Sequence, residues 1–388
     1  MTRDQTAPPA RVVAVDLARA VALVGMFAAH LVSPSDPNGV GGVDNLFQLV
    51  AGRSSALFAL LAGVGIALST TRAAADPWGH RGRLAVRAGV VAALGLALGS
   101  FDSGLAIILT YYGVLFLCAL PVLTWGARPL AVLATGWALL APVASMLLRR
   151  QVEAPPKIVP SFVHLADPGT LLTELLLTGY YPVLTWGAYL FAGMAVGRLD
   201  LRRPAVGPRL ALVGAGLAAL SVAVSTLVTS SPSVRAALLA DPRRPVTDWA
   251  GLDGQIRRGL FGTHPTGTPW WLGVWAPHSG SIVDLVHTTG TAILVLGLAL
   301  WLVRSTAALP WRVAAGAGAM TLTLYATHAV VLASPLGARG TAALVLHTLL
   351  ALSVGALFAS APARGPLEQM VSSVAGVVPV RDDRPSRS

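Results

Sequence analysis

The sequence predicts an all-α fold: a polytopic membrane helical bundle of about ten transmembrane helices with both termini cytoplasmic. Three observations predict it. Hydrophobic residues fill 54% of the 388 positions and charged residues only 12%, where a soluble domain carries roughly a quarter. Apolar runs long enough to cross a bilayer recur along the chain. The arginines collect in alternate connectors, as the positive-inside rule requires. The net charge of +11 is therefore assigned to topology, and no nucleic-acid partner is expected.

Met1 to Ala10 is a short polar tail. The run after it, 12–32, exceeds a signal-peptide core and is read as a retained first span. Further runs lie near 46–70, 84–100, 103–123, 129–148, 181–198, 209–230, 280–303, 311–333 and 340–361. Arg72, Arg81, Arg83 and Arg87 follow the second run, Arg128 the fourth, Arg198 to Arg209 the sixth, and Arg364 to Arg387 the tenth. The opposite short loops, at 33–44, 101–103 and 334–339, hold a single arginine, Arg339. Two long connectors fall outside under this topology. Residues 149–180 contain TLLTELLLTGYY, expected as a short surface helix. Residues 231–279 contain Trp270, Trp271 and Trp275, which suit either an interfacial belt or a cap over a cavity. The organisation is an N-terminal membrane domain at 1–230, an outer loop at 231–279, and a C-terminal membrane segment with a basic tail at 280–388. The lone Cys118 lies in an apolar run, which excludes disulfides and cysteine metal sites within the chain.

Ionisable groups inside a span are costly and need a partner or a task. Asp16 and Arg19 share a helix face and can pair; they serve either the bundle or its cytoplasmic mouth. His30, near the outer end of the first span, has no local partner. Arg53, with Ser54 and Ser55, lies roughly 10 Å into the second span. Asp284 and His287 are three apart in the outer turns of the eighth span, and Tyr325 and His328 are three apart in the outer half of the ninth. Similar depth gathers these groups around one outward-opening cavity. A histidine beside a carboxylate is a general-base arrangement, and an arginine stabilises an oxyanion or a phosphate. His164, His264, His278 and His347 read as loop or single-helix residues. Asp284 and His287 lack a matching acid on another span, so no metal is expected. The sequence contains no G-x-S-x-G elbow, H-E-x-x-H pair or Walker loop.

At VDLARAVALVGMFAAH the chain resembles the start of the heparan-alpha-glucosaminide N-acetyltransferase catalytic domain, the YeiB-like bacterial membrane family and, more remotely, the integral-membrane O-acyltransferases. GRSSALFALLAGVGIAL, from Gly52, resembles the second-helix motif of the YeiB-like group. TGYYPVLTWGAYLFAGMAVGRLDL, from Thr178, and GAMTLTLYATHAVVL, from Gly318, resemble its C-terminal domain of unknown function. The resemblance implies a helical bundle that passes an acyl group from a donor, acetyl-CoA in the animal enzyme, to a sugar. That enzyme carries its histidine in the loop after the first helix, before W-N-G. Here Asn38 and Gly39 keep the end of that motif and the loop has no histidine. In the O-acyltransferases a histidine ends the first helix, where this chain has His30, so the role is carried to His30.

The expected activity is acyl transfer, of an acetyl group, from cytosolic acyl-CoA to an extracytoplasmic or lipid-linked glycan. His30 serves as base or acyl relay and Arg53 as clamp. Asp284 with His287 forms a second acid–base pair, and Tyr325 with His328 completes the wall. Asp16, Arg19, Arg83 and Arg87 are expected at the donor, joined to His30 by a tunnel. Membrane lipids and the glycan are the expected partners. A transporter or exporter of a small solute or lipid is the alternative, with Pro121 and Pro142 interrupting the fourth and fifth spans.

Overall fold

A computed structural model describes residues 12–32, 47, 49–71, 73–152, 157–242, 246, 248–305, 309–358 and 364–380. These residues form an all-helical membrane bundle. Five helices are long and apolar enough to cross a bilayer: α1 (Val13–Leu31), α3 (Pro77–Gly99), α5 (Ala127–Arg149), α8 (Val206–Ser230) and α11 (Ile282–Ser305). Shorter apolar helices fill the other predicted spans: α2 (Arg53–Ser69), α4 (Leu109–Leu117), α7 (Val183–Gly197) and α14 (Thr341–Phe358). The predicted ninth span is a pair, α12 (Leu309–Gly318) and α13 (Thr321–Leu332), bent by 71°. The arrangement is compatible with ten crossings. Helices α6 (Pro168–Thr173), α9 (Pro232–Leu239), α10 (Trp249–Arg258) and α15 (Pro366–Gly376) lie between or after them. Asn38, Gly39 and the rest of the loop after α1, at 33–46, fall outside the described residues.

Between membrane helices close van der Waals contact replaces the hydrophobic drive available in water. Small residues provide that contact here. Helices α8 and α11 touch backbone to backbone, and a Cβ at Gly214 would sit 2.5 Å from the Gly290 carbonyl oxygen. Helices α2 and α7 meet in the same way where Gly193 faces Leu60.

Helix ends leave carbonyls without partners, and arginines serve two of them. On the face where α1 ends, here called the upper face, Arg339 donates through Nη1 to the His30 carbonyl at 2.8 Å and through Nη2 to Ser103 O at 3.1 Å. On the lower face Arg198 donates from Nη1 to Ala67 O at 2.8 Å and to Thr70 O at 3.2 Å, closing α2.

The two long connectors fold onto the upper face. TLLTELLLTGYY is not a solvated surface helix. It forms α6 and a π-helical turn, Glu174–Thr178, that buries Glu174 completely. The carboxylate accepts from Tyr111 Oη at 3.3 Å, Thr178 Oγ1 at 3.2 Å and Ile158 N at 3.3 Å, which explains how a buried acid is tolerated there. The second connector has its own small core, with Leu238, Leu252 and Trp271 at its centre. Trp271 is fully buried and donates to Asp241 at 2.8 Å, and Trp275 lies 4.6 Å from the His287 ring. Trp271 is an interior residue of a cap, and Trp275 is half-buried at its contact with α11. Trp270, 49% exposed, is the member placed outward.

Arg149, at the end of α5, anchors this cap by donating to the His264 carbonyl at 2.7 Å. His264 accepts from Arg149 Nη2 at Nε2, 3.4 Å, so its Nδ1 carries the hydrogen given to Ser279 O at 3.3 Å. Burial, then the Arg149 charge, lowers His264 from 6.5 to about 3. Burial, then Lys157, lowers His278 from 6.5 to about 4. An unfolded chain binds these protons near pH 6.5 and the folded chain does not, so both groups remove stability as pH falls from about 6.5 toward 4 and then 3. His264→Gln is expected to lose less of its thermal midpoint than the wild type between about pH 7 and about pH 5. An unchanged loss removes His264 from this account.

Candidate functional site

A cavity of about 440 Å³ opens on the upper face. Its wall combines residues far apart in sequence: His30 from α1, Ser54 and Ser55 from the first turn of α2, Tyr180 and Tyr181 ahead of α7, and His278 ahead of α11. Arg258, at the end of α10, and Arg339 also line it, and no aspartate or glutamate does so among the described residues.

Local structure explains why these side chains converge. Gly52 precedes α2 with φ +74, a left-handed turn that favours glycine, and a Cβ there would lie 3.1 Å from His278 N. The turn therefore brings the start of α2 against His278, itself at φ +56. Tyr111 Oη accepts from Tyr180 N at 3.3 Å while it donates to Glu174, so the buried acid holds the tyrosine pair in the wall. The Tyr181 hydroxyl donates to Ala106 O at 3.2 Å, and its ring lies 5.8 Å from the His278 ring. The result is an apolar and aromatic pocket with one imidazole on each side and cations at its edge.

His30 Nδ1 lies 3.1 Å from His328 Nε2, and the two rings stack with centroids 5.3 Å apart. His328 is buried, and its Nδ1 lies 3.1 Å from His347 Nδ1 on α14. Phe27 packs against His328 at 4.6 Å between ring centroids. His328 thus stands behind His30 rather than in the wall. Tyr325 is also buried away from the cavity, its hydroxyl accepting from Ile108 N at 3.4 Å.

Arg53, Asp284 and His287 form a separate group beside the cavity. Arg53 donates from Nε to His287 Nε2 at 3.3 Å and lies 5.2 Å from the centroid of the Trp275 ring. His287 accepts at Nε2, so its Nδ1 hydrogen goes to Ala218 O at 3.3 Å. Asp284 accepts instead from Gly280 N at 3.0 Å, within its own turn. Asp284 and His287 share a helix face, yet no hydrogen bond joins them; their bonds go to different elements.

On the lower face Asp16 and Arg19 form an ion pair at 2.9 Å. Arg87 has Arg19 and Arg364 as its charged neighbours and lies over Phe116. Arg83 is exposed and donates to Val378 O at 3.0 Å. Arg19 and Arg87 therefore gather with Arg364 while Arg83 faces the C-terminal segment. None of Asp16, Arg19, Arg83 and Arg87 lines the cavity at His30, so the expected tunnel is not part of that cavity.

Sequence reasoning passed over His278, His347, Arg258, Arg339 and Glu174. Arg339 did carry a signal: it was the one arginine on the wrong side of the charge pattern. His347 had none, because its partner lies on another helix.

The sequence pattern of the family described as heparan-alpha-glucosaminide N-acetyltransferase, catalytic, matches residues 11–224. That stretch is more than half of the chain and includes His30, Ser54, Ser55, Tyr180 and Tyr181. No curated protein matches the chain.

Proposed function

Because the chain belongs to the heparan-alpha-glucosaminide N-acetyltransferase catalytic family, we propose that it is a multi-pass membrane acetyltransferase that uses acetyl-CoA from the cytoplasmic side and acetylates a glycan or lipid-linked sugar on the other. The observation that carries this reading is the position of His30, half-buried in the wall of the upper cavity with its carbonyl clamped by Arg339. The upper face is then extracytoplasmic. Tyr180 and Tyr181 offer flat apolar surfaces to a sugar ring, and Arg258 and Arg339 face any anionic substituent.

His30 removes the proton from the acceptor hydroxyl or amine as it attacks the thioester carbonyl. The carbon–sulfur bond breaks, the new ester or amide bond forms, and CoA leaves as a thiolate that takes a proton from water on its own side. Arg19 and Arg87, with Arg364, are the residues placed to meet CoA phosphates. Asp16 holds Arg19 in that position, and Arg83 adds charge at the surface. From Asp16 to His30 is roughly 21 Å along α1, at 1.5 Å per residue. A passage must open over that distance for the thioester end of acetyl-CoA to reach the acceptor at His30. Arg53, Asp284 and His287 stand beside the wall and hold Trp275 and Gly280, which flank His278 in the chain.

The bent α12–α13 pair resembles the discontinuous helices of transporters. The start of α13 is bound by the chain's own Glu368, which accepts from Leu322 N at 2.7 Å and from Thr323 Oγ1 at 2.6 Å. That occupancy favours the enzyme. Protein in liposomes, given radiolabelled acetyl-CoA on one side and an α-glucosaminide on the other, is expected to label the sugar only with CoA at the Arg19 face. Transfer with both substrates on the His30 side overturns the sidedness. Absence of both CoA binding and transfer overturns the reading.

A further inference from the structure

Three histidines from three helices stand in a row behind the cavity. His30 Nδ1 to His328 Nε2 is 3.1 Å, and His328 Nδ1 to His347 Nδ1 is 3.1 Å. We propose that this row is a proton relay, which takes the acceptor's proton at His30 and places the charge on His347, away from the cavity. The inference rests on the reading of His30 as the base.

The reason lies in what surrounds His30. A base histidine ordinarily has a carboxylate behind it, which stabilises the imidazolium. His30 has an imidazole there instead, and no carboxylate lines its cavity among the described residues. The charged or titratable groups that face it are Arg339 from the segment before α14 and His278 from the segment before α11, and Arg339 also acts on His328. Phe27 of α1 packs on His328 and adds no charge to the row. A positive charge held at His30 would sit beside a permanent cation in a poorly solvated site. Moving it two imidazoles away removes that conflict.

Hydrogen bookkeeping fits one direction. A neutral imidazole has one donor and one acceptor nitrogen. In the base-ready state His30 donates from Nδ1 to His328 Nε2, and His328 donates from Nδ1 to His347 Nδ1. His30 Nε2 is then a bare lone pair, and His347 carries its hydrogen on Nε2. When Nε2 of His30 takes the acceptor's proton, the Nδ1 hydrogen passes to His328 Nε2 and the His328 Nδ1 hydrogen passes to His347 Nδ1. His30 and His328 end neutral in the opposite tautomer, and His347 ends as the imidazolium. Of the three, His328 is buried, whereas His347 is half-buried and ends the row. His328 and His347 are thus positioning and relay residues, and neither touches the substrate.

Nitrogen-15 NMR of histidine-labelled protein in nanodiscs tests the relay without turnover. The expected neutral pattern is Nδ1–H at His30 and His328 and Nε2–H at His347, with the first charge on acidification at His347. Nε2–H at His30 in the neutral protein, or a first charge at His30, overturns the relay. In transfer assays His328→Gln and His347→Gln are each expected to lower kcat by roughly 10- to 100-fold with KM unchanged, and to reduce a multi-proton solvent isotope effect to a single-proton one. Glutamine keeps a hydrogen bond but cannot pass a proton on, and the half-buried His347 is the variant less exposed to a folding defect. Unchanged kcat and isotope effect in both, with His30→Ala inactive, overturn the relay and leave the base. The NMR pattern without CoA binding or acetyl transfer overturns the acetyltransferase reading and with it the relay, leaving only a hydrogen-bonded histidine row.

Discussion

His30→Ala is expected to lower acetyl transfer by roughly 10²- to 10⁴-fold, the usual contribution of a positioned base. The effect should fall on kcat, because His30 contributes one edge of a cavity whose tyrosines and arginines are untouched. The protein should still fold. His30 is half-buried, and its loss leaves one unpartnered nitrogen at His328, a cost of about 1–3 kcal/mol. A thermal scan beside the transfer assay separates the two effects. Full activity in His30→Ala would move the base to His278, the other imidazole in the wall. The outcome also bears on the relay, since a cavity that works without His30 gives His328 nothing to receive.

Gly193→Ala is expected to be among the most damaging single-carbon additions away from the site. The new Cβ would collide with the carbonyl oxygen of Leu60, on the facing backbone of α2. Neither partner is a side chain that can swing aside, so α2 and α7 must separate, with the cost of overpacking at about 3 kcal/mol or more. Both helices lead into the cavity, α2 through Ser54 and Ser55 and α7 through the tyrosine pair ahead of it, so activity should fall with stability. The matched control is Gly216→Ala on α8, where a Cβ meets nothing within 4 Å. There the better helix propensity of alanine should stabilise by about 0.5–1 kcal/mol. Equal midpoints for the two variants would sink the argument that backbone contact holds α2 to α7.

The bundle was legible because a bilayer demands long apolar runs and sorts arginines by side. What the runs concealed was helix length. The run at 103–123 contains only the nine-residue α4, with turns before and after it. The bend between α12 and α13 has no proline inside it. It occurs where Gly318 meets the Asp16 backbone, a tertiary contact that no local pattern encodes. The site was legible in depth and illegible in direction. Depth placed His30 and His328 together, but could not say that His328 stands behind His30. Spacing put Asp284 and His287 on one face, and could not foresee that Gly280 would take the acid and Arg53 the imidazole.

The Glu368 cap settles what the start of α13 is bonded to. A helix N-terminus with free N–H groups is a ready phosphate receptor, and the lower face would otherwise offer one at α13. Helix α15 plugs that socket with a resident carboxylate, which uses the Leu322 and Thr323 N–H groups and the Thr323 hydroxyl. Under the proposed reading, a diphosphate at this face would be left to the guanidinium groups of Arg19, Arg87 and Arg364. The C-terminal helix is thus a counter-anion built into the chain, which completes the start of α13 from within.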